Sequence, residues 1–151
     1  MDLTEVPEIV NWPQTYYVFV EKVGSFPMSA PQAWGEAHAL IPELTLHNRV
    51  AGYMSLYKIW SKTYRAGFVL EAPPSELPKR LKYEIFEGGK YSKFTLTGPY
   101  SELPQASGRV IELVEEQGIE TREDWSIENY VTDPRTTPAE KLVTEILVPT
   151  K

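Results

Sequence analysis

The sequence repeats a short pattern at a nearly constant spacing, and this repetition restricts the possible folds more than any other feature. Residues 24–26 read Gly-Ser-Phe and residues 98–100 read Gly-Pro-Tyr. Residues 31–35 read Pro-Gln-Ala-Trp-Gly and residues 104–108 read Pro-Gln-Ala-Ser-Gly, an offset of 73. A matched order at a matched offset predicts two copies of one structural unit. We therefore predict a single domain over 1–151, with repeat one over about 14–74 and repeat two over about 81–150.

Each predicted repeat contains a strand, a helix and two further strands. Repeat one is predicted to form a strand over 16–22, a helix over 30–44 and strands over 50–60 and 64–71. Pro31 suits the first turn of this helix, where a missing N–H costs nothing. Repeat two is predicted to form a hairpin of strands 82–86 and 91–97, a helix over 101–117 capped by Gly118, and strands over 125–132 and 142–148.

A few strands with one helix form only a marginal unit, so the two repeats are expected to fold together. The fold class predicted is α+β: an antiparallel sheet from both repeats, with two helices on one side. A central groove is expected on the pseudo-twofold axis, where the helices diverge. Concave places between like elements are common ligand sites.

Composition excludes several kinds of protein. The net charge is −6 and the sequence pI is about 5.0, without the basic cluster that direct nucleic-acid binding needs. The absence of cysteine excludes disulfides, thiolate zinc sites and cysteine nucleophiles. His38 and His47 lack the spacing of a zinc motif, and we predict neither metal nor cofactor. No apolar run could span a bilayer and the acidic start is no signal peptide, so a cytoplasmic protein without a membrane partner is expected.

The second half carries several short motifs in a defined order. Residues 88–91 read Gly-Gly-Lys-Tyr, 98–100 read Gly-Pro-Tyr, 127–134 read Ile-Glu-Asn-Tyr-Val-Thr-Asp-Pro and 144–149 read Thr-Glu-Ile-Leu-Val-Pro. In this order the motifs resemble the gyrase-inhibitor-like (GyrI-like) effector-binding family. The first half is similar more loosely, through Tyr-Arg-Ala-Gly at 64–67.

The resemblance implies a duplicated strand-helix-strand-strand fold with a central pocket for hydrophobic, often cationic, small molecules. In many members the domain is joined to a DNA-binding module and senses drugs. The acidic flanks, which carry no such motif, lead us to expect a stand-alone member here. Stand-alone relatives include proteins that sequester a toxin or modulate a partner, and some that hydrolyse cyclopropane-containing alkylating agents.

Glu128 is the strongest candidate for a functional residue. Strand alternation places it on one face with Ser126 and Tyr130, while Ile127 lies on the other face. The resemblance implies that Glu128 is the pocket glutamate of the family's E-x-Y motif. A shielded carboxylate suits a ligand cation, and with a raised pKa it suits a general acid or base. Tyr130 is expected to contact a ligand or to orient the Glu128 carboxylate.

Further aromatic residues are candidates for ligand contacts. Tyr53 and Tyr57 share a strand face in the first half, Trp60 lies near the end of that strand, and Phe26 and Tyr100 precede the two helices. Aromatic walls facing a carboxylate suit an organic cation. The alternative is ordinary packing against the helices, which we also expect of Trp34.

Three functions remain open from the sequence. The first is binding of hydrophobic or cationic organic molecules, with Glu128 as the charge partner, for sensing or sequestering a drug or toxin. The second is cofactor-independent hydrolysis of cyclopropanoid genotoxins, with Glu128 activating water and Tyr130 or Tyr57 as its hydroxyl partner. The third is modulation of a protein partner through a surface patch.

Overall fold

The computed structural model describes residues 1–151 and contains two α-helices and nine strands. The strands are β1 (Asp2–Leu3), β2 (Glu8–Trp12), β3 (Thr15–Val23), β4 (Val50–Lys58), β5 (Thr63–Leu70), β6 (Lys82–Phe86), β7 (Gly89–Thr97), β8 (Ser126–Tyr130) and β9 (Val143–Pro149). The helices are α1 (Phe26–Leu44) and α2 (Leu103–Glu116), with short 3₁₀ turns at Tyr100–Glu102 and Ala139–Lys141. Neither α-helix is both long and apolar enough to cross a membrane.

The chain is organised as two units, and each contains one α-helix. The first unit is Pro13–Gly88, and the second unit combines Met1–Trp12 with Gly89–Lys151. The strand pairings within both units are antiparallel. The predicted α+β class with two helices and antiparallel strands is confirmed. The duplication, its boundaries and the groove between the repeats stay predictions.

The sheet of the first unit has the strand order β4-β5-β3-β6. Its core lies under α1, because alternate residues of β3 and β5 meet the small residues of the helix. Val18, Phe68, Ala33 and Ala37 are fully buried in this core. The apolar positions of α1 recur at intervals of three and four residues, so they form one continuous stripe against the sheet.

Helix α1 begins one turn earlier than predicted, at Phe26 instead of residue 30. Pro27 occupies the first turn, where its fixed φ favours the helix and its missing N–H costs nothing. The amides of Met28 and Ser29 donate to the Ser25 carbonyl. The prediction that Pro31 marks the first turn was wrong, since this proline lies inside the helix.

The sheet of the second unit is built around β7, which pairs with β1, β2 and β9, while β9 also pairs with β8. Helix α2 packs on Phe94 and Ile146 through its buried residues Ala106 and Val110. The predicted cap at Gly118 is confirmed: its φ is 64° and its amide donates to the Glu115 carbonyl. This left-handed residue lets the chain leave the helix without strain.

The hairpin predicted for residues 82–97 was wrong. Strand β6 pairs with β3, whereas β7 pairs with β2 and β9. Gly88 and Gly89 have φ values of 74° and 123°, so the chain does turn where glycine permits it. The turn joins strands that pair with distant segments, because long-range partners decide strand pairing and a local turn signal does not.

Candidate functional site

Glu128 and Tyr130 form a hydrogen-bonded pair on the face of β8 that looks toward α2. In the antiparallel register Glu128 is opposite Ile146, which belongs to the core beneath α2. Directly opposed residues share a face, so the Glu128 side chain lies on that side of the sheet. The Tyr130 hydroxyl donates to Oε1 of Glu128 at 2.8 Å. Ile127 is fully buried on the opposite face, as strand alternation predicts.

The Glu128 carboxylate is shielded and has no cationic partner. Desolvation raises the pKa of Glu128, and the hydrogen bond from Tyr130 lowers it in part. Its second oxygen, Oε2, accepts no hydrogen bond. Two other partly buried carboxylates of this unit are paired: Glu145 with Lys93 at 3.2 Å and Asp124 with Arg122. Glu128 is therefore a partly buried negative charge that the protein itself leaves uncompensated.

Tyr100 completes an aromatic wall beside this pair. It begins the 3₁₀ turn that leads into α2, which holds its ring against the end of β8. The Tyr100 and Tyr130 rings meet edge to face, with centroids 5.7 Å apart and an interplanar angle of 71°. Burial, and then the nearby Asp133 carboxylate, raise the pKa of Tyr100. The structure thus brings together the three predicted residues of the second unit.

The predicted aromatic residues of the first unit contact other aromatic rings and, in one case, a lysine. Phe26 meets Tyr57 edge to face at 5.8 Å, and Tyr53 meets the buried Phe68 ring at 5.2 Å. These rings pack between α1 and the sheet. Trp60 lies in the turn after β4 and is 62% exposed, with the Lys58 ammonium 5.7 Å from its ring. The ligand contacts predicted for these four aromatic residues stay predictions.

Sequence reasoning missed a polar cluster beneath α1. The indole N–H of Trp34 is shared between Ser55 Oγ at 3.1 Å and the Tyr64 hydroxyl at 2.9 Å. The two hydroxyl oxygens are 2.6 Å apart. Trp34 belongs to the core region, as expected, but it also satisfies a buried polar pair. A serine at a buried strand position facing the helix was the available signal, since a buried hydroxyl needs a partner.

A second missed residue is Thr144, which lies opposite Tyr130 on β9. It is fully buried and its Oγ1 has no hydrogen-bond partner. Buried polar atoms are seldom left unsatisfied in proteins, so such a hydroxyl is a reason to look for function. Thr144 is the first residue of the Thr-Glu-Ile-Leu-Val-Pro motif. The sequence alone did not indicate that its hydroxyl differs from the other side chains of this strand.

The α+β fold and the shielded carboxylate beside two tyrosines have the features of a small-molecule-binding domain. A comparison with protein families gives the same class, because the model of the GyrI-like small molecule binding domain matches residues 5–151. The chain belongs to this family of small-molecule-binding domains. No curated protein sequence matches the chain significantly.

Solved structures share the fold at low sequence identity. The C-terminal domain of EcmrR is 15% identical with a TM-score of 0.74, covering 100% of this chain and 99% of that one. SAV2435 bound to tetraphenylphosphonium is 17% identical with a TM-score of 0.66, covering 100% and 94%. A hydrolase from Listeria innocua is 15% identical with a TM-score of 0.62, covering 98% and 93%. At these identities the likeness concerns the fold alone.

Proposed function

We propose that the second unit binds hydrophobic organic cations, with Glu128 as the charge partner and the rings of Tyr130 and Tyr100 as an aromatic wall. The observation that carries this proposal is the state of Glu128. Its carboxylate is partly buried, one oxygen accepts a hydrogen bond from Tyr130, the other accepts none, and no cation of the protein pairs with it.

An uncompensated, partly buried carboxylate costs free energy, and a ligand cation offsets that cost when it binds. The negative faces of tyrosine rings also attract a cation, and this cation–π interaction contributes about 0.5–2 kcal/mol to the free energy of binding. The ligand class is further supported by SAV2435, which has this fold and binds tetraphenylphosphonium. A domain of this kind would sense or sequester a drug or toxin.

Isothermal titration of the full chain with tetraphenylphosphonium tests the proposal. We expect binding that Glu128→Gln weakens by about tenfold or more, because the amide keeps the shape of the side chain and removes its charge. Glu115→Gln is the matched control, since Glu115 is exposed on α2 and its loss changes the net charge equally. If wild-type protein shows no binding below about millimolar concentration, or if both variants bind equally, the proposal is wrong.

Hydrolysis of a strained electrophile is a second candidate function, and the raised pKa of Glu128 is the observation that favours it. A carboxyl group with a raised pKa suits general acid or base catalysis with water, and the hydrogen bond from the Tyr130 hydroxyl at 2.8 Å would hold it in place. Incubation with a spirocyclopropane substrate separates the two functions. Ring opening that is lost in Glu128→Gln and kept in Glu115→Gln supports hydrolysis, and binding without ring opening excludes it for that substrate.

A further inference from the structure

The two units repeat one aromatic contact with nearly the same geometry. In the first unit Phe26, at the start of α1, meets Tyr57 of β4 at 5.8 Å and 74°. In the second unit Tyr100, in the turn before α2, meets Tyr130 of β8 at 5.7 Å and 71°. Each contact joins the start of a helix to a strand that follows that helix. The contact therefore gives a structural reference from which other positions of the two units can be matched.

From this reference the strand positions match one to one. Ser55 lies two residues before Tyr57, and Glu128 lies two residues before Tyr130. On the neighbouring strands, Tyr64 is opposite Tyr57 and Thr144 is opposite Tyr130. Glu128 thus occupies the strand position of Ser55, and Thr144 occupies the strand position of Tyr64.

The helix positions match as well, but the side chains differ greatly in size. Trp34 follows the buried Ala33 in Pro-Gln-Ala-Trp-Gly, and Ser107 follows the buried Ala106 in Pro-Gln-Ala-Ser-Gly. Trp34 and Ser107 are both partly buried. The second unit therefore carries a hydroxymethyl group where the first unit carries an indole ring.

This difference has consequences for the polar groups beneath each helix. In the first unit the indole N–H satisfies both Ser55 and Tyr64, and Ser55 is fully buried. In the second unit no side chain plays this part: Oε2 of Glu128 accepts no hydrogen bond and Oγ1 of Thr144 has no partner. Glu128 also keeps some exposure to solvent, so its open oxygen can be reached.

We infer, resting on the proposed function, that the preferred ligand is a flat aromatic cation that carries an N–H donor. Its ring would lie on the second unit as the Trp34 indole lies on the first, and its N–H would donate to Oε2 of Glu128. The contacts of Trp34 with Ser55 and Tyr64 are the observation from which this ligand geometry is inferred. A charge-assisted hydrogen bond is among the strongest that proteins form, and a quaternary ammonium ion has no N–H with which to donate one.

A matched pair of ligands tests the hydrogen-bond part of the inference on the wild-type chain. Protonated dimethyl(1-naphthylmethyl)amine has one N–H, and trimethyl(1-naphthylmethyl)ammonium replaces that hydrogen with a methyl group. Both carry one positive charge, on a nitrogen that a methylene group joins to the same naphthalene ring. We expect the N–H ligand to bind about tenfold or more tightly in calorimetric titrations at neutral pH. Equal affinity of the two ligands, or tighter binding of the quaternary ion, would overturn this part.

Ser107→Trp tests where the ring of the ligand lies, because it places in the second unit an indole like that of Trp34 in the first unit. This indole should occupy the space proposed for the ligand ring. We expect about a tenfold or larger loss of affinity for the N–H ligand, with helical circular dichroism unchanged. Gln105→Trp is the control, because Gln105 is exposed on nearly the opposite side of α2 and its replacement should leave affinity intact. Unchanged affinity in Ser107→Trp would overturn the placement of the ring.

These outcomes remain distinguishable from failure of the proposed function. If Glu128→Gln weakens the binding of tetraphenylphosphonium while the two naphthyl ligands bind equally, the cation site stands and the N–H preference is wrong. If no cation binds, both the proposed function and this inference are wrong.

Discussion

Replacement of Trp34 by phenylalanine should lower stability by an amount that can be worked out from the contacts of its indole ring. The N–H is shared between two hydroxyl oxygens at 3.1 and 2.9 Å, and Ser55 and Tyr64 keep their own 2.6 Å bond when it is removed. The loss is then one net hydrogen bond, about 1 kcal/mol. The smaller ring adds about 1 kcal/mol for the space it leaves. We expect the free energy of unfolding to fall by about 2 kcal/mol in total.

Thermal unfolding followed by circular dichroism measures this effect. For a chain of this length a loss of about 2 kcal/mol corresponds to a fall in Tm of roughly 4–8 °C. Trp60→Phe is the matched control, because Trp60 is 62% exposed and its replacement should change stability by less than about 0.5 kcal/mol. If Trp34→Phe is as stable as Trp60→Phe, the indole does not hold the polar cluster together, and the comparison between the units loses its basis.

Three further predictions concern the carboxylate and the first-unit sheet. Desolvation raises the pKa of Glu128, and a bound cation favours the ionised form of its carboxyl group. The affinity for tetraphenylphosphonium should therefore be constant at high pH and fall as the pH drops through that pKa. In titrations at a series of pH values, the fall should be at most about tenfold per pH unit. Tyr130→Phe removes the hydrogen bond that lowers this pKa, so the same fall should begin at higher pH; an unmoved midpoint would contradict the assigned bond. Gly67→Ala places a Cβ in a severe clash with the Val18 carbonyl oxygen and should lower the free energy of unfolding by about 3 kcal/mol in chemical denaturation. Gly52→Ala, whose nearest contact is at 3.8 Å, should lower it much less.

Strand alternation and local motifs were sufficient to predict the pairing of the second-unit site residues. Glu128 and Tyr130 were placed on one face because side chains alternate along a strand, and the structure joins them by a hydrogen bond. The cap at Gly118 was also predictable, because glycine is favoured where the backbone adopts a left-handed conformation after a helix. These features depend on residues close together in sequence.

Features that depend on distant residues were not predictable in the same way. Strand β2 escaped prediction because it is short and pairs with β7, some eighty residues away. The hairpin at residues 82–97 was predicted from two glycines, yet β6 finds its partner in β3. The buried Thr144 hydroxyl becomes notable only when its surroundings show that nothing bonds to it.

The expected effect of Glu128 on stability has the opposite sign to its effect on binding. A carboxyl whose pKa is raised in the folded state contributes stability below the ordinary pKa of 4.5, and this contribution is lost as pH rises through the raised pKa. Above this raised pKa the ionised Glu128 therefore destabilises the free protein relative to a neutral glutamine. Bound ligand stabilises the folded state in proportion to the logarithm of its concentration over Kd.

A thermal-shift titration with tetraphenylphosphonium at neutral pH, on wild-type protein and on Glu128→Gln, tests both effects in one measurement. We expect the free variant to unfold at a higher Tm than the wild type, and the ligand to raise the Tm of the variant by less. The difference between the free proteins should vanish below about pH 4, where both side chains are neutral. A lower Tm of the free variant together with an undiminished shift on adding ligand would contradict the assignment of Glu128 as an uncompensated charge that a cation completes.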